Sequence, residues 1–306
     1  MAGQPRDGLI YNPGMNPSPS ILLTFGLLAL TVCLLWVPVP RERSAAWPWC
    51  IGLALACAAG LHGGLLDWRA PPAIAAFGML AWSAREAGRA WVRILLLVLT
   101  GVAAFLFALH RFPGFLNPVL AGNIRFSSDA PPFTLRASFD TAVAGIILTG
   151  VFCERIRTLD AWLAMLRKVW PVMLSVLVVV LGIGTVLGYV RPDSKWTPYS
   201  AWFLAANLLF TCVTEEAFFR GLLLERFKHG LARWRWGTAL AVALSSVLFG
   251  LTHARGGPLL VLLATVAGLH YAAAYLRTRR IEGAILTHFA LNAVHFVTFT
   301  YPNIAP

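Results

Sequence analysis

Ten apolar stretches constrain this chain more than any other feature. They run at roughly 20–39, 46–66, 71–84, 91–110, 138–153, 169–190, 199–215, 236–253, 258–276 and 282–300. A helix needs about 20 apolar residues to cross a bilayer, and fewer if it is buried among other helices. Inside lipid every backbone donor and acceptor must be paired within the protein, which selects helices for segments like these. At 58% hydrophobic and 12% charged residues, the composition agrees. The expected fold is all-α: a polytopic transmembrane helical bundle of about 8–10 membrane-spanning helices. The run 71–84 is short and opens Pro71-Pro72, so we expect a half-helix there. Residues 1–18, rich in Pro, Gly and Asn, read as a flexible tail.

The formal net charge of +12 raises the question of nucleic acid. The basic residues, however, stand singly or in short loop clusters and form no solvated amphipathic face, so we expect no nucleic-acid partner. Topology accounts for them better. With both termini outside, 17 of the 25 basic residues fall in inside loops, among them Arg41, Arg43, Arg85, Arg89, Arg93, Arg155, Arg157 and Arg277. We expect a multi-pass protein surrounded by membrane lipid, in the inner membrane of a bacterium.

The longest polar connection, about 111–137, separates four front runs from six back runs. We divide the chain into the tail, a transmembrane region 19–165 without an assigned role, and a core 166–306. The five cysteines lie in apolar runs without metal or disulfide spacing, and read as small buried hydrophobes.

The chemistry sits in the core. Thr214-Glu215-Glu216-Ala217-Phe218-Phe219-Arg220 places two adjacent acids at the end of an apolar run, where a charge costs several kcal/mol. Glu216 and Arg220 are four apart and share a helix face, so they pair. Glu215 is turned about 100° away and stays available. His253 closes the run 236–253. His288 and Asn292 share one face of the last helix, and His295 continues it. An acid, two histidines and an amide from three helices suit water activation. Glu215 would take and return a proton, His253 would hold or help deprotonate the water, and His288 with Asn292 would donate to an oxyanion.

A second assembly uses the same atoms: Glu215, His253 and His288 as zinc ligands, with an open position for water. No HExxH motif is present. Zinc is therefore possible and not required. The lone histidines His62, His110 and His270 read as hydrogen-bonded core residues, and Glu225 with Lys228 as a solvated loop. Depth poses a difficulty, since Glu215 and the start of the His288 helix lie toward the inside and His253 toward the outside. They meet only if the helix of 199–215 continues to about Phe227, or if the chain re-enters near Gly256-Gly257-Pro258.

Three blocks also resemble a known family: EExxxR at Glu215–Arg220, FxxxH at Phe249–His253 and HxxxN at His288–Asn292. They are similar to those of the CPBP intramembrane proteases, also called the CAAX-protease or Abi family, which include the type II CAAX prenyl endopeptidase. The connectors Ser245–Leu251 and Tyr275–Thr278 fit as well. Arg279 departs from the family, where glycine is common. The resemblance covers about Trp170 to Tyr301. It implies endopeptidase action on a membrane-associated or lipid-proximal protein or peptide. It assigns Glu215 and His253 to water and His288 with Asn292 to the oxyanion, with Glu216 and Arg220 in support. Two other classes compete: an inactive scaffold or immunity factor of the same fold, and a proton-coupled transporter. Intact acid, histidines and amide weigh against the first. The lack of paired broken helices in matching halves weighs against the second.

Overall fold

The computed structural model describes residues 17–38 and 47–305. The expected tail thus lies outside the described residues except for its last two, as do Arg41 and Arg43. Ten helices are described: α1 (Pro19–Leu34), α2 (Trp47–His62), α3 (Ala70–Glu86), α4 (Ala90–Ala108), α5 (Phe139–Phe152), α6 (Leu159–Val186), α7 (Ser200–Gly230), α8 (Gly237–Leu251), α9 (Pro258–Thr278) and α10 (Ile281–Thr298). They match the ten apolar runs one for one. Four of them, α4, α6, α7 and α9, are long and apolar enough to cross a membrane alone.

The differences have local causes. α3 is a helix of 17 residues, not a half-helix; Pro71 and Pro72 fall in its first turn, where a missing N–H costs nothing. α6 starts ten residues before its apolar run. Its first turns are amphipathic, and Thr158 caps them by accepting from the Ala161 amide. α7 runs past Glu216 to Gly230, which is the first of the two routes by which the site could assemble. Within it, Asn207–Cys212 and Ala217–Leu224 are wide π turns, a feature that often marks functional sites because it re-aims side chains.

The polar connection also holds structure. Strands β1 (Val119–Ile124) and β2 (Phe133–Arg136) form an antiparallel hairpin, Ala121 opposite Leu135. Its buried side packs Phe126 and Phe133 against Phe203, Phe296 and Tyr301, with Phe203 and Phe296 stacked at 4.0 Å. The cysteine expectation holds only for Cys212, which is buried; Cys33 and Cys50 are exposed on the outer face of the bundle, and Cys57 and Cys153 are intermediate.

α7 is the centre of the bundle. It packs on α5 so closely that a Cβ on Gly145 would collide with Thr214 Oγ1, and the Thr214 hydroxyl donates to the Thr141 carbonyl at 3.0 Å. Small residues allow such approach between membrane helices. One core joins α1–α5 to α7 and α10 through Phe210, Val213, Ala217 and Ile285. Basic side chains collect at one end, where Arg155 and Arg157 donate to the Leu35 and Val37 carbonyls. Nearby, Arg85 donates to Val151, Arg277 to Lys168, and Arg280 pairs with Glu154.

Candidate active site

The two acids of α7 face different surroundings. Glu216 and Arg220 are fully buried and paired, Arg220 Nη1 to Glu216 Oε1 at 2.9 Å. The other guanidinium nitrogen, Nη2, donates to the Gly268 carbonyl at 2.9 Å. The Phe249 and Tyr271 rings lie 4.9 and 5.2 Å from the guanidinium, a cation–π enclosure. His288 joins this network. Its Nδ1 donates to Glu216 Oε1 at 2.8 Å, and its ring stacks on Tyr271 at 4.4 Å and 16°. A carboxylate only accepts, so Nδ1 carries the hydrogen. That leaves Nε2, 3.9 Å from Glu215 Oε2. Glu216 Oε2, Arg220 Nε and Ser246 Oγ, all buried, have no hydrogen-bond partner.

Glu215, by contrast, keeps 30% of its side chain exposed. It lines a cavity of about 190 Å³ together with Thr214, Thr252 and His253. α4 and α5 supply the opposite wall through Ala104, Phe105, Ala144 and Leu148. His253 Nδ1 is held by the Phe249 carbonyl at 3.0 Å and Thr252 Oγ1 at 3.2 Å, which fixes the ring. A second cavity, about 110 Å³, borders the same His253 and adds Tyr271, His288, Asn292 and His295. His253 is thus shared by two adjoining chambers, one with the exposed acid and one with the imidazole and amide.

Of the residues singled out in the sequence, Glu216 bonds both Arg220 and His288, and His288 comes within 3.9 Å of Glu215. His253 shares a cavity with Glu215. Asn292 shares the second cavity with His288, but its side chain pairs elsewhere, donating to Asn207 Oδ1 at 3.2 Å. His295 donates to the Thr300 carbonyl at 3.2 Å. Sequence reasoning missed Asn207 and Tyr271. Asn207, Thr211 and Glu215 recur every four residues along α7, so an amide on the acid's face was a signal to find. Tyr271 carries no such mark, because it acts by stacking across helices. Two of the supposed core histidines also sit elsewhere: His62 is exposed, and His110 is half-exposed and bonds Asp140 at the end of α4.

A zinc on Glu215, His253 and His288 needs three donors about 2 Å from one point. Among the described residues, no group of three His, Cys, Asp or Glu side chains converges in that way. No step below passes through a metal.

A sequence model of the family described as type II CAAX prenyl endopeptidase Rce1-like matches residues 196–294. No curated protein and no solved structure matches the chain. The matched segment holds Glu215, Glu216, Arg220, His253 and His288, and ends just past Asn292. The chain is an integral membrane protein with an all-α bundle, and protease activity is what the match implies at the level of the family. The region from 196 to 294 is thus similar to the type II CAAX prenyl endopeptidase Rce1-like family, the likeness that the three blocks led us to expect.

Proposed function

We propose that this protein is an intramembrane endopeptidase that hydrolyses a peptide bond of a membrane-associated protein or peptide. A water in the first chamber lies between Glu215 and His253. Glu215 takes its proton as the oxygen attacks the scissile carbonyl, and later gives that proton to the leaving amine. The oxyanion forms toward the second chamber, where Nε2 of His288 and an amide N–H of Asn292 donate to it. His288 donates there only as the imidazolium, because its Nδ1 hydrogen is already given to Glu216. Glu216 and Arg220 are positioning residues: Arg220 fixes the Glu216 carboxylate, and that carboxylate holds the His288 ring. Asn292 has two N–H groups; it can keep Asn207 and exchange its long, weak contact with Cys212 Sγ at 3.9 Å for the substrate.

One observation carries this reading. Adjacent acids are separated into a buried, paired Glu216 and a Glu215 that opens with His253 into a cavity. A scaffold has no use for that difference. By the positive-inside rule the basic end faces the inside of a bacterial inner membrane.

The test compares new protein termini in membranes holding the wild-type chain with those holding Glu215→Gln. Termini present only with the wild type identify the substrate, and the same termini in both would refute the reading. The purified enzyme should keep its activity through exhaustive chelation. One zinc per chain, with activity lost on removal and restored on return, would recast His288 as a ligand.

A further inference from the structure

A groove of about 800 Å³ runs between α4 and α7 on the outer surface of the bundle. Its walls are Ile94, Leu97, Val98, Gly101 and Val102 of α4 against Leu222, Leu223 and Phe227 of α7. One end carries Arg93, Arg226 and His229. The other reaches Phe105 and Phe218, whose rings stack at 6.3 Å and which also line the Glu215 chamber. From Arg93 to Phe105 is twelve residues of helix, about 18 Å. That is a little over one leaflet of a roughly 30 Å hydrocarbon core.

The cationic end gathers Arg93, Arg226 and His229, with the charge of Glu225 in Coulombic range of the last two. Glu225, the nearest acid in sequence, is bound to Lys228 at 2.8 Å. Among the described residues, no carboxylate is paired with Arg93, Arg226 or His229. Arg226 Nε is moreover buried with no hydrogen-bond partner, and a charged donor left so is costly. An apolar trough one leaflet long, ending in two guanidiniums and an unfilled donor, has the shape and charge of an amphiphile with an anionic head.

We propose that this groove is a binding site for an anionic membrane lipid. Its phosphate lies on Arg93 and Arg226, and one acyl chain follows α4 and α7 to Phe105 and Phe218. Basic pockets between membrane helices take such headgroups in general. The chain's tip then packs on the two rings that wall the Glu215 chamber, so an occupied groove stiffens that wall. α4 lies outside the matched segment 196–294 and α7 inside it, so one wall of the site belongs to this chain's front helices. It does not depend on the peptidase reading.

The test uses the full chain extracted from vesicles of phosphatidylcholine with and without phosphatidylglycerol. Native mass spectrometry reads the ratio of the two lipids retained, and melting is followed alongside. Arg93→Gln/Arg226→Gln should lower the retained ratio by on the order of 30-fold and abolish the gain in melting temperature from phosphatidylglycerol. Arg233→Gln/Arg235→Gln, the same charge loss outside the groove, should leave both unchanged. Gly101→Trp, which fills the trough and spares the charges, should also lower retention. Equal losses in the two double variants would reduce the effect to general surface charge and overturn the site. So would a melting gain reproduced by inorganic phosphate in phosphatidylcholine alone.

Discussion

The two sides of α7 were made from different parts of the chain. The closed side, Glu216 with Arg220, Gly268, Tyr271 and His288, lies wholly within residues 196–294. The open side pairs Glu215 and His253 from that segment with a wall of Ala104, Phe105, Ala108, Leu109, Ala144 and Leu148, none of which the family match covers. The burial of α4 and α7 differs accordingly: 17% of the apolar window of α4 is buried and 44% of that of α7. The closed side is a buried, hydrogen-bonded network built from its own helices. The open side must admit a substrate in the proposed reaction; of the two helices that wall it, α4 is largely unburied and α5 lies inside the bundle. We read the matched segment as carrying the chemistry and the front helices as shaping what reaches it.

The largest effect that could break this division is on the closed side. Arg220→Ala leaves Glu216 buried beside His288 without its cation, and loss of one partner of a buried pair costs about 3–5 kcal/mol. Melting in detergent should fall steeply and activity with it. Unchanged melting would mean that the closed side is not a structural unit. Next, His288→Ala and Asn292→Ala should each slow turnover by about 100- to 1,000-fold, as loss of one oxyanion donor does. The two should then differ in stability, since His288 is tied to Glu216 and Tyr271 and Asn292 only to Asn207 and Cys212. Equal melting for both would remove that distinction.

A smaller effect sharpens the role of the front. His110 ends α4 beside the open wall, and its hydrogen bond to the buried Asp140 raises its pKa above the ordinary 6.5. Burial of the ring and the nearby Arg136 oppose that rise. A raised folded value stabilises the folded state fully below the unfolded value of 6.5, and the gain is lost as pH climbs through the folded value. Melting of the wild type should therefore decline over the range just above pH 6.5. His110→Gln should flatten that decline, and an identical pH profile for the variant would exclude the pair as an anchor of α4.

Much of this was legible in the sequence, for identifiable reasons. Apolar runs of bilayer length report helices directly, and the i, i+4 spacing of Glu216 and Arg220 survives the π turn between them. Runs do not report helix ends that project beyond the apolar zone, so the amphipathic start of α6 was missed, and the tail of α7 came into view only as one of two routes by which His253 could reach Glu215. The second of these resolves the depth difficulty for His253. The HxxxN spacing correctly put His288 and Asn292 on one face. It could not tell that Glu216 would claim the imidazole and Asn207 the amide, because those partners come from another helix whose register the π turns alter. The β-hairpin escaped notice because the apolar residues at its ends, Val119, Ile124 and Phe133, are only a few among the prolines and asparagines of residues 111–137.

The central claim is that neighbouring acids do different work, and purified Glu215→Gln and Glu216→Gln measured side by side test it most directly. Each keeps nearly the shape of the acid and removes its charge. Glu215→Gln should melt like the wild type and show no turnover, because the base is gone and the paired network is untouched. Glu216→Gln should melt at a clearly lower temperature, because Arg220 and His288 lose their shared carboxylate. Turnover by Glu215→Gln at the wild-type rate would contradict the account.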